Sequence, residues 1–485
     1  MIEMKKGQTK RALLLLVSFL LLVGLPMLSP PAGMTLAGWR VVGIFFGVLL
    51  LWLFEAIDWP SFLALAALSF VPGLKINGIF ASSFGNPIFA FLLFTFLCTY
   101  ELSKTTFIRR VAVFFVDNPL ARRSPWHFTV LFFASILFLG LFISPTVLFV
   151  IYLPILEEIY ELLGLKKGDS AASMLMMGLV FLCGISSGMT PIAHVFPLIS
   201  MGIYREMTGG GLDYGGYMLT AIPVGLAVFG AMLLMFRFVL RANLSGMASL
   251  DAAALRQGIP PVAPREKKVL WVFSLVVLLW VLPSLVEGLW PQFARWINGY
   301  GIAMPPLLGV VALSVLTEKG TPILNFKEAM TRGVPWASLI ICGAALALGA
   351  AMTHEAVGLK DFLAKALGPF AGSLAPVVVL LFFFAWTALQ TNLSSNIVTG
   401  TLVSTVAIPI LLTMPSIHAG AAAALIGMLS AYAFATPPAM PSVAIAGGSG
   451  WTSAKSLLGY GMLLMAISVA AALFIGYPLG RLFLG

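Results

Sequence analysis

The sequence predicts an all-α polytopic membrane protein, built from two inverted-topology repeats with broken helices and re-entrant hairpins. Three observations carry this. Of 485 residues, 60% are hydrophobic and 9% charged, where a soluble domain carries roughly a quarter charged residues. Polar breaks interrupt apolar stretches at matching places in the two halves. A basic stretch rich in proline and glycine separates those halves. With roughly 20 apolar residues needed per crossing, the runs add up to about eleven transmembrane helices.

The chain begins with a span. Lys5, Lys6, Lys10 and Arg11 precede the apolar run from Ala12 to Leu28. That pattern reads as an uncleaved first helix with its N-terminus in the cytoplasm, so residues 1–37 form an N-terminal span. Residues 38–240 form the first repeat and 269–485 the second. Between them, 241–268 is a linker. Gly246, Gly258, Pro260, Pro261 and Pro264 keep it out of hydrocarbon, and Arg256, Arg265, Lys267 and Lys268 place it in the cytoplasm. An extra N-terminal span reconciles an inverted repeat with these two cytoplasmic segments and puts the C-terminus outside.

The two repeats correspond step by step. Ile143-Ser144-Pro145-Thr146 breaks one apolar stretch, and Leu393-Ser394-Ser395-Asn396 breaks the other. Each is followed by an apolar run to Pro-Ile, at Pro154-Ile155 and Pro409-Ile410. Each half then carries a Gly/Ser-rich segment with a Thr-Pro step, Gly184 to Pro191 and Ser430 to Pro438. Gly85-Asn86-Pro87 and Gly333-Val334-Pro335 also match in position. The short runs after them, Ile88 to Thr99 and Ala337 to Met352, read as re-entrant hairpins. The amphipathic pieces Leu102 to Val116 and Gly358 to Leu367 read as interfacial helices. Broken helices in matching places of two halves mark a secondary transporter with its substrate at the repeat interface.

Composition narrows the classes further. The net charge is +10, from 28 Lys+Arg against 18 Asp+Glu. This is the positive-inside bias of a protein in a lipid bilayer, here the cell's inner (plasma) membrane. There is no soluble basic face, so no nucleic-acid partner is expected. Cys98, Cys183 and Cys342 sit in apolar settings without metal or redox spacing. The spans hold too few ionisable residues for a membrane enzyme, and no enzymatic activity is expected. A passive channel is the remaining alternative.

Taken together, these motifs resemble the divalent anion:sodium symporter family, within the ion-transporter superfamily. Ser395-Asn396 matches the family's second Ser-Asn-Thr motif, and Thr436-Pro437-Pro438 its second Thr-Pro-Pro. The stretch Pro335-Trp336-Ala337 to Gly358-Leu359 and the run Glu55-Ala56-Ile57-Asp58-Trp59-Pro60 resemble two further family segments. The resemblance implies a sodium-coupled, elevator-type symporter of a small divalent organic anion such as a C4-dicarboxylate, working by alternating access as a homodimer. The first repeat departs from the pattern: Pro145 stands where the family has Asn, and Thr190-Pro191-Ile192-Ala193-His194 where it has Thr-Pro-Pro-Asn. A proton-coupled or exchange carrier of citrate, tartrate or sulfate is therefore the alternative.

An anion held in the membrane needs donors without a buried cation, which half-helix N-termini and Ser, Thr and Asn side chains supply. The residues expected at the substrate are Ser144, Thr146, Ser395, Asn396, Thr190, Pro191, Thr436, Pro437 and Pro438. Thr399 and Thr401 join them because an ungapped alignment sets them opposite Ser144 and Thr146. His194, four residues after Thr190, is expected as an anion contact or a proton carrier. The resemblance also implies sodium sites at Ser144, Thr146, Asn86, Gly184 and Gly188 in the first half, and at Ser395, Asn396 and Thr436 in the second.

Overall fold

The computed structural model describes residues 2–192, 194–244, 260–286, 289–359, 361–362, 365–366 and 374–484. Residues 245–259 of the expected linker lie outside this set, as do 360, 363–364 and 367 of the expected second interfacial helix. Helices dominate. The strands among the described residues are one hairpin pairing Thr317–Glu318 with Thr321–Pro322. Among the described residues, six helices are long and apolar enough to cross a bilayer, and the pair Ile76–Ser82 and Pro87–Ser103, bent by 47°, makes a seventh. The expectation of about eleven spans counted apolar runs. Several of those runs are cut into shorter helices of 10–17 residues, among them Pro125–Gly140, Asn396–Leu412 and Ala419–Ser430.

The break at Ser144 is a reversal of the chain. Ser124 caps Pro125–Gly140, accepting from the His127 N–H, with Pro125 in the first helical position. The next helix, Pro145–Leu162, runs back along it. Tyr152 donates to the Ser135 hydroxyl at 3.0 Å, and the Phe132 and Tyr152 rings lie 5.9 Å apart. In a straight helix, residues 135 and 152 would stand roughly 25 Å apart at 1.5 Å per residue. The far end of the second arm is held by Arg109–Glu158, 2.9 Å, to the amphipathic helix Phe107–Val116 that precedes the first arm. Both arms pack on Ser170–Met189. The approach is so close that a Cβ on Gly178 would meet the Phe133 ring at 2.2 Å.

The second half repeats this unit. Pro376–Leu393 and Asn396–Leu412 pack on each other and on Ala419–Ser430. Ser144 and Ser395 therefore sit at hairpin tips, and of the two expected re-entrant hairpins the first keeps a sharp bend while the second is an unbroken helix. Ile88 to Thr99 belongs to Pro87–Ser103, a 17-residue helix capped by Asn86 after the 47° bend. Ala337 to Met352 lies in the unbroken helix Trp336–Thr353. Its Gly343 and Gly349 face Ser83 and Ile203, so they serve close packing and leave the helix intact.

The broken helices are the next elements in each half. Ser170–Met189 resumes, after Thr190 to His194, as Val195–Thr208. Ala419–Ser430 resumes, after Ala431 to Met440, as Pro441–Ser449. The two cross each other. Ser200 donates to the Ala423 carbonyl at 2.6 Å, and a Cβ on Gly427 would meet the Pro197 carbonyl at 3.0 Å. The long helices Tyr214–Leu240 and Ala454–Phe483 close the two halves.

The hairpin is directly testable. Spin labels at Ser124 and Leu163 should report a short distance between the two outer ends. A continuous broken span would separate them by roughly 58 Å. A pulsed dipolar distance in that long range would refute the reversal.

Candidate functional site

Four helices begin at one place. Pro145–Leu162 and Asn396–Leu412 start at the hairpin tips, and Val195–Thr208 and Pro441–Ser449 start at the helix breaks. All four starts line a single cavity of about 550 Å³, through Ser144 to Val147, Ser395 to Ile397, His194 to Phe196 and Pro438 to Pro441. None of the four has a side-chain cap. The positive ends of their dipoles are thus left to face the cavity. The hydroxyls of Ser144, Thr146 and Ser395 have no protein partner among the described residues.

Hydrogen bonds tie each hairpin tip to the broken helix of its own half. In the first half, Thr190 donates to the Leu141 carbonyl at 2.5 Å. His194 places Nδ1 3.0 Å from the Thr190 carbonyl and Nε2 3.2 Å from the Ile143 carbonyl. In the second half Asn392 carries most of the load. Its amide donates to the Ala388 and Tyr432 carbonyls, both at 2.9 Å, and its oxygen accepts from Phe434 N at 2.8 Å and Ala435 N at 2.9 Å. The Thr436 hydroxyl donates to the Asn392 carbonyl. Thr391 donates to the Ser430 carbonyl at 2.6 Å and to Asn396 Oδ1 at 3.1 Å, and Asn396 Nδ2 lies 3.4 Å from the Ala431 carbonyl. Asn396 is buried; its side chain ties the hairpin tip to the helix break, and the residue borders the cavity.

The rest of the wall comes from Phe96, Thr99, Tyr100 and Ser103 on one helix and from Arg332 to Pro335. Arg332 is the one Lys, Arg, Asp or Glu among the described lining residues. The cavity therefore offers helix N-termini, hydroxyls and one guanidinium, with no carboxylate. Such a surface suits an anion.

Comparison with known proteins agrees with this geometry. A family described as "Citrate transporter" matches residues 48–435, well over half of the chain. The chain belongs to the citrate transporter family. A protein of Cupriavidus necator named "Membrane protein" is 20% identical over 469 residues, covering 90% of this chain and 87% of its own. Among solved structures, the YdaH transporter of Alcanivorax borkumensis, whose crystal structure is described as revealing an unusual topology, superposes with a TM-score of 0.54. It is 15% identical, and the match covers 84% of this chain and 86% of that one, a likeness of fold. The resemblance to divalent anion:sodium symporters holds at the level of the related superfamily.

Of the residues that the sequence proposed for this citrate transporter family member, the cavity is lined by Ser144, Thr146, Ser395, Asn396, His194 and Pro438. Thr190 and Thr436 stand just behind and hold the breaks; Pro191 is buried beside Thr190 and Pro437 is exposed. Thr399 and Thr401 are fully buried within their helix, and Thr401 bonds back to the Ile397 carbonyl. Gly184 and Gly188 lie in unbroken helix, where added Cβ atoms would meet Phe434 at 2.9 Å and Tyr432 at 2.6 Å. They permit close packing. Asn86 caps its own helix and donates to Glu206 Oε1 at 3.0 Å, by a separate cavity of about 710 Å³. Of the implied first-half sodium set, Ser144 and Thr146 line the main cavity, Gly184 and Gly188 lie within a helix, and Asn86 lies by the second cavity. Sequence reasoning missed Asn392, Thr391, Tyr100 and Arg332. The polar run Gln390-Thr391-Asn392 at the end of a largely apolar helix was the available signal for the first two.

Asn392 and Asn396 should separate experimentally. Asn392→Leu strands the Tyr432 carbonyl and two N–H groups, at about 1–3 kcal/mol for each buried group. A large fall in the thermal unfolding temperature of the purified protein is expected. Asn396→Ala loses two longer bonds and should fall less, while anion uptake weakens tenfold or more. Equal stability of Asn392→Leu and the native protein would contradict the bonding described.

Proposed function

We propose that this membrane transporter carries a small organic di- or tricarboxylate across the inner membrane by alternating access, coupled to sodium. The observation that carries the reading is the convergence of four uncapped helix N-termini in one cavity that holds an arginine and no acid. Each N-terminus presents about half an elementary positive charge, so four supply roughly two. A dianion placed there is matched without burying a full cation in the membrane. Citrate and the C4-dicarboxylates are the first substrates to test, the former because the family is described as a citrate transporter. Sodium finds oxygen ligands of the required kind in the free hydroxyls of Ser144, Thr146 and Ser395 beside the break carbonyls.

One observation favours a second coupling. Both ring nitrogens of buried His194 face backbone carbonyls, at 3.0 and 3.2 Å. A neutral imidazole donates from one nitrogen only, whereas an imidazolium donates from both. Proton coupling through His194 would shift the tie between the first hairpin tip and the first break as the proton moves. Proteoliposomes separate the two readings. Citrate, succinate, malate, tartrate and sulfate are offered under an inward sodium gradient at equal pH, and under an inward proton gradient without sodium. Saturable, concentrative uptake of one of them under sodium supports the first reading. Drive by the proton gradient, abolished by His194→Gln, supports the second. Absence of concentrative uptake under both gradients would refute secondary transport.

We also propose that the N-terminus lies in the cytoplasm and the C-terminus outside, and that a homodimer forms through the apolar region Val41 to Phe70, where Phe46, Phe54, Phe62 and Phe70 are exposed. Cross-linking in native membranes should trap a species of twice the monomer mass. Monomer alone would count against it.

A further inference from the structure

We propose that Arg332 binds one carboxylate of the substrate from the cavity wall and sets the transporter's preference for polyanions over monoanions. This rests on the anion-transport reading above. Its support is a local charge balance. Buried Glu101 is bridged by Lys104 at 3.1 Å and by Arg265 at 2.9 Å. Lys104 also reaches Glu328 at 3.2 Å, and Tyr100 donates to the same carboxylate at 2.8 Å. The hydrogen bonds from Tyr100 and Lys104, with the charges of Lys104 and Arg332 nearby, hold the Glu328 carboxyl below the usual carboxylate range. Lys104, Arg265 and Arg332 are three cations; Glu101 and Glu328 are two anions. The cluster keeps one positive charge; Arg332 acts on Glu328 only through space and has no ion pair within 4 Å among the described residues, so its guanidinium fork stays open.

The backbone fixes where that charge is presented. A Cβ on Gly333 would meet Tyr100 Cβ and Cγ at 2.7 Å, so the segment carrying Arg332 lies directly on the Tyr100 helix. The Trp336 indole donates to the Met330 carbonyl at 2.8 Å and closes the turn on its other side. Tyr100 and Arg332 then border the same cavity as Ser144, Ser395 and Asn396. A carboxylate at the helix N-termini leaves a second carboxylate of the same molecule free. The planar guanidinium fork matches it in a bidentate pair. A monoanion uses the N-termini alone and gains nothing from Arg332. Selection by charge number follows.

The test uses the full-length purified protein with citrate, succinate and butyrate as probes, reading both equilibrium binding and the uptake KM. Arg332→Gln is expected to weaken citrate and succinate about tenfold or more, leave butyrate unchanged, and flatten the salt dependence of citrate binding. Arg332→Lys keeps the charge without the fork and should lie between the two. Uptake by the native protein with citrate-to-butyrate discrimination unchanged in both variants would overturn this assignment and leave the transport reading standing. Should the Gln variant not fold, a Lys variant with native succinate affinity overturns it equally. Native protein that neither binds nor takes up any of the three probes would overturn both.

Discussion

Every break in this fold frees backbone groups inside an apolar protein, and the structure depends on their being satisfied. A helix that stops mid-membrane leaves up to four N–H and four C=O groups without intrahelical partners. Here four helices end and four begin around one cavity. The freed carbonyls are taken by side chains: Leu141, Ile143 and Thr190 by Thr190 and His194, and Ser430, Ala431 and Tyr432 by Thr391, Asn392 and Asn396. The freed N–H groups of the four starts receive no side-chain cap. The division is chemical. Acceptors are neutralised internally, and donors are left for a ligand. A cavity built this way is electropositive without a buried cation at its centre.

The same bonds make each half a unit. The first hairpin tip is joined to the first broken helix, and the second tip to the second. The two broken helices then cross at the bond from Ser200 to Ala423. Gly188 and Gly427 let the backbones meet there, since a Cβ on either would come within about 3 Å of the opposite chain. Tips, breaks and crossing therefore hold together around the cavity. The wall carrying Tyr100 and Arg332 is held by the ion pairs of Glu101, Lys104, Arg265 and Glu328, and its helix also reaches the first broken helix through Asn86 and Glu206.

Much of this was legible in the sequence, and the illegible part has one physical cause. Polar and proline steps in apolar runs locate breaks, because nothing else is tolerated there, and Ser144, Ser395, Thr190 and Thr436 were found that way. A break does not encode the direction in which the chain continues. Ile143-Ser144-Pro145 is equally compatible with a straight interruption and a reversal, and only the Tyr152–Ser135 contact decides it. The Gly-rich segment is ambiguous for a related reason. Gly184 and Gly188 can open a helix or let another helix approach, and their neighbours Phe434 and Tyr432 lie 250 and 244 residues away in sequence. Arg332 was illegible because its place depends on which distant acids already hold Lys104 and Arg265.

The two halves solve the same bonding problem with different residues, and the difference has a consequence. Asn392 and Asn396 do not titrate, so the second-half tie is indifferent to protonation. His194 is the first-half counterpart, and its bonding to two carbonyls changes when a proton leaves. Pro145 adds to the asymmetry. It has no N–H, but as the first residue of its helix it forfeits a donor that no helix bond would have used. What it removes is one cavity-facing donor that Asn396 keeps in the second half. A ligand bound between the tips meets a rigid, non-titrating side and a side whose integrity responds to a proton. On the transport reading proposed above, coupling between ion and anion would enter through the first repeat, while the second supplies the non-titrating half of the binding surface.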